Sequence, residues 1–162
     1  MMGKFGGILL ILIGLMWCCN TRKTVVELNL IGSSGIKPEI LVNGSERPVD
    51  VNESGYAKLV MGDKENGYAL LKYGKDRIPL FIEKDKSLVI YVYGDQARGN
   101  TRFEGNGAPK NIYLSSLESK NKSFDYELDG MEFLQQLKEQ VEEQMYYLDT
   151  MEFDEEFKEM ER

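Results

Sequence analysis

Cys18 and Cys19 are the only cysteines of the chain, side by side in "LMWCCNTR" at positions 15–22. Thiols can act as nucleophiles, redox pairs or metal ligands, and each role sets a demand on spacing and surroundings. Adjacent cysteines make a poor metal site, since a structural zinc takes four ligands and this chain has no histidine. The same lack removes the commonest general base. Three other stretches gather groups capable of chemistry. "GDQARGNT" (94–101) has the glycine spacing of a P-loop, but Asn100 stands where a lysine would neutralise phosphate, and a short strand follows where the motif needs a helix. "GDKENG" (62–67) brings together Asp63, Glu65 and Asn66, yet Gly74 occupies the place of the bidentate carboxylate a calcium loop requires. Asp154, Glu155 and Glu156 are neighbouring acids on one helical stretch, whereas glycosidase carboxylates face each other across a cleft. No catalytic, cofactor-binding or metal-ligating residue is assigned, and a non-enzymatic protein without a cofactor is expected.

Five tyrosines, Tyr56, Tyr68, Tyr73, Tyr91 and Tyr93, are a different kind of candidate. Gathered on one surface they would form a platform for sugars or peptides. Tyrosine is also a favoured strand residue with an amphipathic ring, and packing in the core and on edge strands is the expectation. "NGS", "NES" and "NKS" match an N-glycosylation pattern and "DTM" (149–151) resembles a short O-glycosylation sequon, and three residues are weak evidence for either.

The cysteines are explained by what precedes them. Lys4 and the terminal amine form a short positive region, and an apolar run from Ile8 to Met16 follows, as in a secretory signal peptide. The stretch from Phe5 to Cys19 has 15 residues, short of the roughly 20 needed to cross a bilayer. A short retained anchor is the alternative. A cysteine closing such a run resembles a bacterial lipobox, in which the first mature residue is a lipid-modified cysteine. Cys18 has Leu15 at −3 but the bulky Trp17 at −1; Cys19 has the small Cys18 at −1. A small −1 residue is what cleavage requires, so lipid attachment at Cys19 is expected, with Cys18 as the other register. That places the protein in the cell envelope, anchored to a membrane and facing the periplasm, with the outer membrane expected. Without Lys4 the mature chain carries 19 basic and 27 acidic residues, a net charge of −8. Such a surface repels phosphate backbones and argues against nucleic acid as a partner.

The rest of the chain divides in two. Residues 1–18 are read as the signal peptide, 19–108 as an antiparallel β domain and 109–162 as a helical extension. The fold class is mainly β: an antiparallel sandwich or barrel-like domain followed by C-terminal α-helices. "TVVELNLI" (24–31) alternates Val26, Leu28 and Leu30 with Val25, Glu27 and Asn29, a half-buried strand. Asn43-Gly44 between two short apolar runs predicts a tight hairpin. "YAKLVM", "YALLKY", "IPLFI" and "SLVIYVY" follow at intervals of about ten residues with polar turns between them, the rhythm of an antiparallel sandwich or barrel. Pro109 opens a helix over 109–119 that offers Ile112, Leu114 and Leu117 for packing. Asp129, three residues before Glu132, caps a long helix whose Leu134, Leu137, Val141, Met145 and Leu148 run in a helical stripe. Phe153, Phe157 and Met160 continue the pattern.

The strand series together with "IPLFIEKDKSLVIYV" and the junction residues Gly105, Gly107, Asn111 and Leu114 resembles the N-terminal domain of unknown function that precedes the thioredoxin-like domain in TlpA/ResA-type lipoproteins of Gram-negative bacteria. In that family "IPLFIEKDKSLVIYV" would be a hairpin, often with Pro-Gly where Lys84-Asp85 stands here, and the helices through "EFKEMER" would lead to the thioredoxin domain. The Cys-x-x-Cys motif of that domain does not occur in this sequence, so no catalytic residue carries over. The resemblance implies an accessory or binding module; its alternative is a truncated or split thiol-disulfide oxidoreductase whose thioredoxin domain another chain supplies. Helices without their usual neighbouring domain leave the stripe from Leu134 to Leu148 in need of cover, which implies self-association or a helical protein partner.

Overall fold

The computed structural model describes residues 23–120 and 130–162. The stretch read as a signal peptide, Cys18, Cys19 and Asp129, the expected helix cap, lie outside the described residues. Two four-stranded sheets face each other. The first has the order β4 (Tyr56–Met61), β1 (Thr24–Ile31), β7 (Ser87–Tyr93), β8 (Thr101–Glu104). The second has the order β3 (Ser45–Pro48), β2 (Glu39–Val42), β5 (Gly67–Tyr73), β6 (Asp76–Ile82). The expected alternation holds in β1, where Val26, Leu28 and Leu30 are buried and Val25, Glu27 and Asn29 are not. Asn43 (φ 50°) and Gly44 (φ 77°) form the β2–β3 turn, both in the left-handed region that a two-residue hairpin with right-handed twist needs.

Two pairings differ from a purely antiparallel reading. β1 pairs antiparallel with β4 on one side but parallel with β7 on the other, Leu28 lying opposite Ile90. The segment "IPLFIEKDKSLVIYV" is not a hairpin, because β6 and β7 belong to different sheets. Residues 83–86 instead carry the chain from one sheet to the other. Asp85 (φ 60°) makes that corner, with its N–H donating to Thr24 Oγ1 at 2.9 Å. Crossing between sheets brings β7 up beside β1 in the same direction, and the parallel ladder follows.

Between the sheets lie Val26, Leu28, Ile40, Leu71, Leu80, Ile82, Ile90 and Val92, all nearly inaccessible. Tyr73 is wholly buried among them, its hydroxyl 2.7 Å from Ser33 Oγ and 2.9 Å from the Gly94 carbonyl. A buried phenol needs such partners to offset its lost hydration.

The helices close one side of the sandwich. α1 (Ala108–Lys120) packs against the edge strands β6 and β8. Asn111, with no exposed surface, accepts the Phe81 N–H at 2.8 Å and donates to the Phe81 carbonyl at 2.9 Å. A side-chain amide thus completes the unpaired edge of β6, as a neighbouring strand would. The turn into α1 needs Gly105 (φ 91°), where a Cβ would fall 2.6 Å from the Ser87 carbonyl oxygen. Tyr113 and Leu114 face inward, while Ile112, expected to pack, is half exposed. α2 (Gly130–Thr150) and α3 (Glu155–Glu161) bring Leu148 and Phe157 onto Phe81, Tyr113 and Leu114, a second apolar cluster on the outer face of β6. The Phe81 and Phe157 rings meet edge to face at 4.8 Å.

Candidate functional site

The loop at 94–101 is held by carboxylates that tie it to its neighbours. The Asp76 carboxylate accepts the N–H groups of Ala97 (2.7 Å) and Arg98 (3.1 Å). Asp95 accepts the Ser34 N–H at 2.7 Å. A carboxylate of the protein therefore holds the donors that a phosphate would need, and the loop runs into β8, not a helix. The turn at 62–67 closes likewise: Glu65 folds back onto the Gly62 N–H at 2.6 Å, and Asn66 donates to the Asp63 carbonyl at 2.8 Å. Among the described residues no group of three or more His, Cys, Asp or Glu side chains is placed to hold a metal ion.

The five tyrosines separate. Tyr73 is in the core, and Tyr68 rests on Phe81 with its hydroxyl donating to Glu161. Burial and Glu161 push the Tyr68 phenol well above its ordinary value. Tyr56, Tyr91 and Tyr93 share the outward face of the first sheet, Tyr56 and Tyr91 on either side of Asn29 and Tyr93 beside Ile31. The alternation of β7 puts Tyr91 and Tyr93 on one face, and pairing through β1 brings Tyr56 onto it.

Asp154 is a structural acid. It caps α3, accepting the Phe157 N–H at 2.9 Å, while Glu155 and Glu156 stand exposed in the first turn, near its positive end. Its other partner is Lys110, which sequence reasoning did not single out. The Lys110 side chain is only 6% exposed, with Nζ 3.0 Å from Glu83 Oε1 and 2.5 Å from Asp154 Oδ2. Nζ also lies 4.7 Å from the centre of the Phe81 ring and 4.8 Å from that of Phe157. A cation held by two carboxylates and two ring faces is fully paired, and it clasps α3 to the sandwich. The Lys110 ammonium, followed by the Phe157 N–H, holds the Asp154 carboxyl below its ordinary value of 3.8. A carboxyl lowered by folding contributes stability above its unfolded value and loses it as pH falls through the folded one. Asp154→Asn should therefore be less stable than the parent at neutral pH, with the difference closing below about pH 4. Urea melts of both proteins across that range are the check.

A cavity lies at the end of the sandwich where β1 gives way to the 32–38 loop. It has a volume of about 720 Å³ between that loop and residues 48–55. Leu30, Ile36, Val49 and Val51 supply apolar lining, with Lys37 and Asp50 among its charged groups. Asn52 shapes the second wall: its side-chain oxygen accepts the N–H groups of Ser54 and Tyr56, each at 3.0 Å. Gly55 (φ 80°) lets that wall approach β1, since a Cβ would lie 2.2 Å from the Leu30 carbonyl oxygen. The groove can hold a partly apolar group. Only the folded loops bring its two walls together.

On α2 the expected stripe divides. Leu148 is buried and Met145 partly so, while Leu134, Leu137 and Val141 remain exposed at 58%, 37% and 48%. Met131, one turn before Leu134, is 77% exposed. None of the described helices is long and apolar enough to cross a membrane. Comparison with protein-family profiles, curated proteins and solved structures finds no match for this chain.

Proposed function

We propose that this protein is a lipid-anchored, non-catalytic binding module of the bacterial cell envelope, facing the periplasm. The anchor rests on the sequence, where an apolar run of signal-peptide length ends at Cys18 and Cys19. The binding role rests on one observation: the row Met131, Leu134, Leu137 and Val141 stands exposed on a helix whose far end is fixed in the second core cluster. A contiguous apolar row on a surface is the usual mark of an interaction site. Asp76, Glu65 and Asp154 each hold part of the fold through their contacts, which supports a structural role for these acids.

Anchoring predicts a sharp change in partitioning. The full chain should fractionate with membranes and yield an acylated peptide beginning at Cys19, or at Cys18 in the other register. The Cys18→Ser, Cys19→Ser double variant should lose the acyl mass. Finding an unmodified, uncleaved N-terminus on membrane-bound parent protein by mass spectrometry would replace the lipid anchor with a retained helix.

A further inference from the structure

We propose that the outward face of the first sheet binds a neutral oligosaccharide, which crosses the strands over Tyr56, Asn29 and Tyr91. This face is separate from the exposed row on α2, and the two sites stand or fall independently. Strand pairing lays four side chains in one row: Tyr56 of β4, Asn29 of β1, Tyr91 of β7 and Arg102 of β8. Two strand spacings put the tyrosines about 10 Å apart at the backbone, with the Asn29 amide between them. That amide is half-buried, and it has no hydrogen-bond partner among the described residues. Tyr93 follows two residues on along β7, exposed on the same face. The Glu104 carboxylate stands close enough to the Tyr91 hydroxyl to raise that phenol above its ordinary value, with a hydrogen bond that holds the far end of the ring.

A pyranose has a face of C–H bonds and a rim of hydroxyls. The C–H face rests on an aromatic ring, and tyrosine joins such a ring to a polar tip. Neighbouring hydroxyls offer a donor beside an acceptor, and a carboxamide presents the matching pair. Charge decides against other occupants. Lys58 pairs with Glu27 at 3.0 Å and Arg102 with Glu104 at 2.7 Å, so these four groups sum to zero on a chain of net charge −7. A neutral patch gives a charged polymer no long-range attraction. Another protein, a second copy of this chain included, would have to strip water from both ion pairs, and that desolvation opposes a dry interface. Sugar hydroxyls stand in for the displaced water, so the charged groups keep their hydrogen bonds.

The test is calorimetric titration of the full chain in a sugar-free detergent. Cellohexaose, mannohexaose and chitohexaose are the neutral probes, and hexagalacturonate is the charged one. At least one neutral probe should bind, about tenfold or more tightly than the galacturonate. Tyr91→Ala should weaken that binding by about tenfold or more, whereas Tyr91→Phe, which keeps the ring, should stay within about threefold of the parent. Asn29→Val suits a strand but removes the donor and the acceptor, and should weaken binding by about threefold to tenfold. It carries the same test if Tyr91→Ala does not fold. Leu137→Asp plus Val141→Asp, on α2, should leave sugar binding unchanged. Failure of all the neutral probes to bind at millimolar concentration, equal binding of the galacturonate, or unaltered binding by the folded Tyr91→Ala or Asn29→Val variant overturns the proposal. So does a dimer of the full chain that Tyr91→Ala dissociates, since the face would then belong to a second copy.

Discussion

Asn111→Leu is expected to lower the stability of the folded protein by about 3–5 kcal/mol, because the Phe81 N–H and C=O both lose their partner at a buried edge and each orphaned group costs about 1–3 kcal/mol. The Gly107 carbonyl, to which the same amide donates at 2.8 Å, adds to the loss. Leucine is the better helix former by a few tenths of a kcal/mol, so α1 itself would not be weakened. The urea midpoint of the variant against the parent is the measurement, and a change under about 1 kcal/mol would mean that β6 does not depend on this amide. Asn111→Asp sharpens the test. An ionised carboxylate still accepts the Phe81 N–H but faces the Phe81 carbonyl with no proton to donate, and burial opposes its charge. Protonation restores the donor. Its folded pKa is thus raised, so the variant should approach the parent at low pH and fall away as pH rises.

Phe157→Ala should release α3 from the sandwich at a cost of about 3–5 kcal/mol. The ring is wholly buried, and it meets Phe81 at 4.8 Å, Phe153 at 5.1 Å and Tyr113 at 6.0 Å. Lys110 loses one of its two ring faces at the same time. α3 has only 7 residues, far too few to hold its helix without tertiary contacts. Hydrogen exchange should therefore show the α3 amides losing protection while those of β1 and β7 keep theirs. A variant in which α3 stays protected would show that the Lys110–Asp154 contact, not the aromatic ring, carries the docking.

Features set by neighbouring residues were readable from the sequence. The alternation in β1, the Asn43-Gly44 turn and the start of α1 around Pro109 depend on a few adjacent side chains and came out as expected. The choice of sheet did not. "IPLFI" and "SLVIYVY" are two strands separated by a short polar turn, and nothing local distinguishes a hairpin from a corner between sheets. Burial on both sides of the corner decides it, with Leu80 and Ile82 in one sheet and Leu88 and Ile90 in the other facing the same core. Lys110 was illegible for a related reason. A lysine beside the first proline of a helix reads as solvated, and only the arrival of Phe157 and Asp154 from more than forty positions away encloses it. Asn111 was marked by resemblance alone; its part in completing β6 needed the edge strand in place. The divided α2 stripe follows the same logic, since periodicity shows a face but not how far along the helix the rest of the protein reaches.

The parallel pairing of β1 with β7 has a mechanical consequence. The chain enters the sandwich at Thr24, tied to Asp85 at one pole, and β1 runs 8 residues to the groove at the other, a distance of about 26 Å at 3.3 Å per residue. β1 has a hydrogen-bonded neighbour on each side, β4 and β7. A tether at the N-terminus and a load at the groove would put tension along the axis of β1. In that direction the two ladders resist in shear: their bonds lie across the pull and must give way together. A strand at the edge of a sheet, peeled from one end, would lose its bonds one after another. If the proposed lipid anchor holds the N-terminus, β1 would be the strand best placed to bear force.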